Sequence, residues 1–164
     1  AAAQKPARNL TFTDHAGRAV SERDYLGKYQ LIFFGYTHCP DVCPTDLQVM
    51  SRALEELGPA GERVRPIFIS FDPARDTPPV LAEYVANFHH RLVGLTGSKA
   101  QISAAARAYE VIAEKTGESA NGKDYLINHT ALTYLIGPKG GGLEIFDHGT
   151  GPKAMAARIR RHLK

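Results

Sequence analysis

Two apolar segments of strand length restrict the fold of this chain more than any other feature. They read YQLIFFG at residues 29–35 and VRPIFISF at residues 64–71, and both are rich in β-branched and aromatic side chains, as buried strands are. Between them, apolar residues recur at spacings of three and four, which predicts a helix from near Cys43 to about Leu57 with one buried face at Leu47, Met50, Leu54 and Leu57. A strand, a helix and a second strand in this order predict a parallel sheet covered by helices.

The remaining pattern extends this sheet on both sides. An early hairpin is predicted to turn at residues 16–18, and a helix to start at Thr77 and continue through VLAEYVANFHH. The later predicted elements are a strand at 92–95, a helix at 99–109 capped by Ser98, strands at 111–115, 125–127, 131–136 and 143–146, and a helix at 152–162. The predicted fold class is therefore α/β, with a central mixed sheet flanked by helices, an N-terminal β-hairpin and a C-terminal helix.

Length and charge exclude several classes of protein. At 164 residues the chain is most simply one domain, long enough to bury a core without disulfides. The net charge is only +3, and we interpret the basic ending RIRRHLK as the solvated face of a terminal helix, so no nucleic-acid partner is expected. No apolar run approaches the roughly 20 residues of a membrane span, and the polar start AAAQKPARNL lacks the apolar region of a signal peptide. These features leave the compartment open.

Both cysteines, Cys39 and Cys43, lie in the segment FGYTHCPDVCPTDL, just after the first buried strand. The carboxyl ends of such strands are where reactive groups collect. A structural disulfide ranks last, because so small a loop restricts the unfolded chain by only about 2 kcal/mol. A helix N-terminus favours thiolate, which is both the nucleophile of disulfide exchange and a ligand of soft metals. Pro44 fits the first helical turn and Pro40 stiffens the loop, so a redox pair and a metal site both remain open.

A metal site would need a third ligand, and Cu(I) accepts two thiolates and an imidazole in a trigonal arrangement. His129 is the candidate, because it opens the strand HTALTYLI after the loop TGESANGKD, although a packed or solvated histidine would give the same pattern.

His38 is beside Cys39, but adjacent side chains in a turn often point apart. His89 and His90 are expected to be solvated at a helix end. Met50 is expected to pack in the core, and His15, His148 and His162 have no cysteine near them in sequence.

Three segments in order, FGYTHCPDVCPTDL, ISFDPARDTPPVLAEY and YLINHTALTYLIGPKG, closely resemble the Sco family of copper-binding proteins that assemble cytochrome c oxidase. The resemblance covers the chain from about Leu10 to its end. It implies a thioredoxin-like fold and one copper, as Cu(I) or Cu(II), held by Cys39, Cys43 and His129. It also implies that the two cysteines can form a disulfide when the metal is absent.

The second segment contains Asp72, which matches an acidic position of the family near the metal. The resemblance gives it a role in orienting a ligand or contacting a partner. The alternative is that Asp72, Arg75 and Asp76 cap a loop and pair with one another. Asn128 and Thr130 stand where the family often has Asp and Ser, which leaves the polarity around His129 open.

The resemblance implies a metallochaperone that helps to assemble the dinuclear copper centre of cytochrome c oxidase subunit II. The alternative is a thiol-disulfide reductase that keeps the cysteines of that centre reduced, so the sequence leaves open whether the protein is an enzyme. Another periplasmic copper chaperone or a thiol reductant would be a further partner. A peroxiredoxin-like peroxidase is disfavoured, since Thr37 precedes Cys39 by two residues and not by three.

Members of the family are usually tethered by one N-terminal membrane helix. We therefore expect residues 1–9 to be a flexible stalk from which an anchor was removed, and residues 10–164 to be a single thioredoxin-like domain. The expected location is the bacterial periplasm, at the inner membrane in the full-length protein. The mitochondrial intermembrane space is the alternative.

Overall fold

A computed structural model describes residues 9–39, 42–117 and 125–163 of the chain. In these ranges the strands are β1 Thr11–Asp14, β2 Ala19–Ser21, β3 Tyr29–Gly35, β4 Val64–Ser70, β5 Val93–Thr96, β6 Ala113–Thr116, β7 Leu126–His129, β8 Leu132–Ile136 and β9 Gly142–Asp147. The α-helices are α1 Val42–Leu57, α2 Pro78–Val85, α3 Lys99–Ala108 and α4 Pro152–Arg160. Most of the expected stalk, Pro40 in the cysteine loop, and residues 118–124 of the TGESANGKD segment lie outside the described residues.

Seven strands form one mixed sheet in the order β2-β1-β5-β4-β3-β8-β9. Its centre is parallel, with β3 paired to β4 and β4 to β5, so that Phe33 lies opposite Phe68. Strands β1 and β8 run antiparallel to their neighbours in the parallel centre, and β9 and the hairpin strand β2 extend the edges. This architecture confirms the predicted mixed sheet and the N-terminal hairpin.

Strands β6 and β7 pair with each other in a separate two-stranded sheet, in which Ala113 lies opposite His129. We refer to this sheet as the β6–β7 arm. It carries the candidate histidine on its last residue, so the position of the imidazole depends on what fixes the arm to the body of the protein.

Helices cover both faces of the seven-stranded sheet and bury two clusters of side chains. One cluster combines β3 and β4 with the apolar faces of α1, α2 and α4 and includes Leu47, Met50, Leu81 and Ile159. The other lies under α3 and includes Phe34, Ile69, Ile102 and Tyr109. Met50 is 1% exposed, which confirms it as a core residue.

Helix α2 ends earlier than the sequence pattern predicted. It stops at Val85, so His89 and His90 lie beyond it rather than in its last turn. After Val85 the amides of Asn87 and Phe88 bond to the carbonyl oxygens three residues back, at Tyr84 and Val85, so the chain tightens out of the α-helix. The side chain of Asn87 also donates to the carbonyl oxygens of Glu83 and Tyr84. Among the described helices, none has the length and apolar character needed to cross a bilayer.

Candidate metal centre

The three candidate ligands converge at one end of the sheet. Cys39 lies in the loop that leaves β3, Cys43 is in the first turn of α1, and His129 is the last residue of β7. One ligand atom from each lies within 4.8 Å of the other two, and Cys43 Sγ is 3.5 Å from His129 Nε2. Cys43 is fully buried, whereas Cys39 and His129 are partly exposed. The Cys43 sulfur is therefore shielded from solvent, whereas solvent or a partner can reach Cys39 and His129.

The two sulfurs have different surroundings. The backbone N–H of Cys43, at the start of α1, points to Cys39 Sγ at 3.4 Å, so the helix N-terminus favours negative charge on Cys39. The pKa of the Cys43 thiol is raised, first by its hydrogen bond with the Cys39 sulfur and then by burial. At Cys43 these two effects outweigh the stabilisation of thiolate that was expected from the helix N-terminus. The two cysteines are not joined by a disulfide.

The imidazole of His129 is held in one orientation. Its Nδ1 lies 3.0 Å from the carbonyl oxygen of Thr130, and because a carbonyl only accepts, Nδ1 carries the proton. Nε2 is then the unprotonated nitrogen, and it is the one beside Cys43. The rings of Phe33, Tyr36 and Phe71 surround the imidazole at centroid distances of 6.3, 5.9 and 5.2 Å. This orientation presents a lone pair toward the two sulfurs, as a metal ligand must.

Gly35 also shapes the site, and the sequence analysis did not identify it. A Cβ at this position would lie 2.6 Å from Cys43 Sγ and 3.0 Å from the ring of Phe68. The last residue of β3 must therefore lack a side chain so that the inner sulfur can pack against the strand. A glycine at the end of a buried strand, just before the cysteine loop, was the available signal.

The segment DPARD fixes the loop that carries Cys39. Asp76 is fully buried and accepts hydrogen bonds from the Thr37 amide at 2.9 Å, from the Thr37 hydroxyl, and from the Ser70 hydroxyl at 2.6 Å. The predicted pairing within the segment holds for Asp72 and Arg75, which form an ion pair. The backbone amide of Asp76 also donates to the Asp72 carbonyl oxygen at 2.8 Å, whereas the Asp76 carboxylate bonds to residues outside the segment. Its anchoring of the cysteine loop could not be read from the motif, because Thr37 is distant in sequence.

The other histidines lie apart from the two sulfurs. His38 is exposed and groups with Asp72 and Asp76, but these carboxylates already accept hydrogen bonds from hydroxyl, amide and guanidinium groups, so we assign no metal there. His148 Nδ1 lies 2.9 Å from Asp46, a buried residue of α1 whose pKa is raised by burial. His15, His89 and His162 contact the Gly94 amide, the Arg91 amide and Glu144, respectively.

Comparison with known proteins identifies the relatives of this site. The family model described as SCO1/SenC matches residues 2–164. This chain belongs to the SCO1/SenC family. The assignment confirms the resemblance seen in the three sequence segments, and it agrees with the thioredoxin-like mixed sheet that the sequence predicted.

Relatives in the SCO1/SenC family include mitochondrial and bacterial proteins. The mitochondrial SCO1 homolog of Homo sapiens is 40% identical over 157 residues, which cover 94% of this chain and 52% of that protein. SenC of Rhodobacter capsulatus is 40% identical over 152 residues, 92% of this chain and 67% of that protein. This chain spans about half the length of the mitochondrial SCO1 and SCO2 relatives that it matches.

A solved structure of a family member contains the metal. Bradyrhizobium japonicum ScoI with copper bound superposes with a TM-score of 0.85 and 41% sequence identity, covering 98% of this chain and 99% of that one. The donor set of the present chain fits such a metal, because two thiol sulfurs and one unprotonated imidazole nitrogen are soft ligands that lie close enough to share one ion. The three residues Cys39, Cys43 and His129 could therefore hold a copper ion.

Proposed function

We propose that this protein is a copper metallochaperone that binds one copper through Cys39, Cys43 and His129. Its proposed task is to help assemble the dinuclear copper centre of cytochrome c oxidase subunit II. The observation that carries the proposal is the convergence of two sulfurs and His129 Nε2 within 4.8 Å. The relation to copper-bound ScoI supports the choice of metal.

The surroundings of the three ligands are suited to a copper ion that must be passed on to a partner. Three aromatic side chains pack around the imidazole, so its surroundings on that side are apolar. The partial exposure of Cys39 and His129 leaves an open side where an accepting ligand from a partner can approach. With only three protein ligands, the copper keeps a position for that incoming group, either as Cu(I) or as Cu(II).

Thiol-disulfide reduction of the oxidase cysteines is the second candidate, supported by two neighbouring thiols of unequal exposure that are not joined by a disulfide. Cys39 is the reachable sulfur and would attack the partner disulfide as a thiolate, forming a mixed disulfide and releasing one partner thiolate. Cys43 would then lose its proton and attack Cys39, releasing the second partner thiolate. The products are a Cys39–Cys43 disulfide and a partner reduced by two electrons.

The bacterial periplasm is the proposed location, with the mitochondrial intermembrane space as the alternative. These are the compartments that bacterial SenC and mitochondrial SCO relatives suggest. Attachment to the inner membrane, a copper-donating chaperone and a thiol reductant are further parts of the proposal, and residues 1–9 are the proposed stalk. The description of residues 10–164 as one domain stays a prediction.

Copper titration of three proteins tests the copper proposal. We expect one equivalent of Cu(II) with a sulfur-to-copper charge-transfer band for the wild type, and loss of that band together with weakened binding for His129→Ala. His90→Ala, which removes an exposed histidine, should behave as the wild type. Unchanged binding and spectrum in His129→Ala would show that the ligand set is wrong.

Cysteine variants separate the two candidate functions. If reduction is the task, Cys43→Ser should trap a mixed disulfide through Cys39 with the oxidised copper domain of subunit II, and His129→Ala should still reduce that domain. If copper delivery is the task, transfer to the reduced domain should depend on His129. Reductase activity that disappears in His129→Ala and follows copper content would contradict the second candidate.

A further inference from the structure

The β6–β7 arm is joined to the body of the protein by Tyr125, the residue that precedes β7. Its side chain is 8% exposed, and its hydroxyl donates a hydrogen bond to Asp72 Oδ1. Asp72 is itself 3% exposed and lies in the segment that leaves β4. The contact therefore connects the base of the strand that carries His129 to the central sheet.

Two cations lie against the ring of Tyr125. The guanidinium of Arg75 is 3.5 Å from the ring centroid, and Lys115 Nζ, from β6, is 4.2 Å from it. Arg75 Nε also donates to Asp72 Oδ2, the second oxygen of the carboxylate that binds the Tyr125 hydroxyl. Asp72, Arg75 and Tyr125 thus hold one another, and we call these three residues the Tyr125 latch.

The Tyr125 hydroxyl stays a donor at physiological pH. Burial, and then the hydrogen bond to the Asp72 carboxylate, raise the pKa of Tyr125 to about 12. A hydrogen bond from a neutral hydroxyl to a carboxylate is among the stronger ones in proteins.

A second contact fixes the middle of β7. The Ile127 amide donates to the hydroxyl of Tyr36 at 2.9 Å, and the Tyr36 ring packs edge-on against the imidazole of His129. Between the latch and Tyr36, the strand has little freedom to slide or tilt. With β7 held at these two points, His129 Nε2 lies 3.5 Å from Cys43 Sγ.

We propose that Tyr125 is a positioning residue for the metal centre, which acts through Asp72 and Arg75 to hold the β6–β7 arm so that His129 faces the two sulfurs. This rests on the proposed copper-binding function. Opening of the latch withdraws the imidazole and leaves the copper on two sulfurs, so the latch sets how fast copper leaves.

Tyr125→Phe tests the latch, because it deletes only the hydroxyl and keeps the ring against the two cations. We expect Cu(I) affinity, measured by competition with a chromogenic chelator, to fall about 10-fold, since a hydrogen bond to a charged group is lost. The copper dissociation rate should rise by a similar factor. In the metal-free protein, the amides of residues 126–129 should exchange with deuterium faster than in the wild type.

Tyr134→Phe is the matched control. It also removes a buried tyrosine hydroxyl, which donates to the carbonyl oxygen of Tyr109 in the cluster under α3. It should lower the melting temperature without changing copper affinity or exchange at β7. This comparison separates loss of positioning from general loss of stability.

A double-mutant cycle identifies the partner of Tyr125. Asp72→Ala should weaken copper binding at least as much as Tyr125→Phe, and combining the two should add nothing further. Wild-type copper affinity and wild-type exchange at residues 126–129 in Tyr125→Phe would overturn the latch. If the wild type itself bound no copper, the proposed function would fail, and hydrogen exchange would still decide whether Tyr125 holds the arm.

Discussion

At Gly35, strand β3 has no side chain, and the sulfur of Cys43 occupies the space that a methyl group would need. Cys43 and Phe68 belong to the same buried cluster, and a methyl group at Gly35 would meet the sulfur of one and the ring of the other. Overpacking a site of this kind forces backbone or ring displacement. The Cys43 sulfur can therefore occupy its position only because residue 35 has no Cβ.

Gly35→Ala should lower the free energy of unfolding by about 1–3 kcal/mol, because the new Cβ would lie 2.6 Å from Cys43 Sγ. It should also weaken copper binding, since the sulfur must move. Gly141→Ala is the control, because a Cβ there meets no atom within 4 Å. Urea unfolding and copper titration measure both effects, and a stability equal to that of the control would contradict the packing argument.

The sequence identified some residues of the site and missed others. The two cysteines could be found because their thiols, their spacing and the helix start after a buried strand are local signals. The convergence of His129 with the sulfurs could not be derived from the pattern and came from the resemblance, because it depends on how the β6–β7 arm folds back. Tyr125 and Asp76 were missed as site residues for the same reason, since their partners are distant in sequence.

At the scale of elements, strands β3 and β4 were predicted well because they are buried on both faces and consist of almost continuous apolar residues. Helix α2 was predicted too long, since the apolar periodicity continues past Val85 while the backbone tightens there and the Asn87 side chain bonds to the last carbonyl oxygens. The start of α3 was predicted correctly, because Ser98 is a strong capping residue.

The cap of α3 offers a change that should affect stability and leave the metal centre alone. Ser98 Oγ accepts the Gln101 amide, and Gln101 Oε1 accepts the Ser98 amide. Ser98→Ala should lower the free energy of unfolding by about 1 kcal/mol, because the Gln101 amide loses its acceptor. Chemical denaturation measures the loss. A change in copper affinity in this variant would contradict the expectation that the α3 cap and the metal centre are independent of each other.

At the scale of the whole molecule, Glu144 ties the edge strand β9 to the closing helix. Its carboxylate contacts Arg158 at 2.7 Å and His162 at 3.3 Å. The pKa of Glu144 lies below its ordinary value of 4.5, chiefly because Arg158 donates a hydrogen bond to the ionised form, while burial opposes the shift. A lowered pKa in the folded state stabilises the protein above the unfolded pKa, and this contribution is lost as pH falls through the folded pKa.

Glu144→Gln should therefore lower the free energy of unfolding at pH 7 by about 0.5–1 kcal/mol, a modest amount because the three side chains are partly exposed. The difference from the wild type should shrink as pH falls below 4.5 and Glu144 becomes protonated. Urea unfolding at pH 7, 5 and 3 measures it. A difference that stays constant or grows toward pH 3 would contradict the proposed linkage.

X-ray absorption at the copper edge of the loaded protein tests the ligand set most directly. The proposed centre predicts one copper coordinated by two sulfurs and one imidazole nitrogen, with the nitrogen contribution lost in His129→Ala. A first shell of only nitrogen and oxygen atoms in the wild type would contradict the proposal that Cys39, Cys43 and His129 form one copper site.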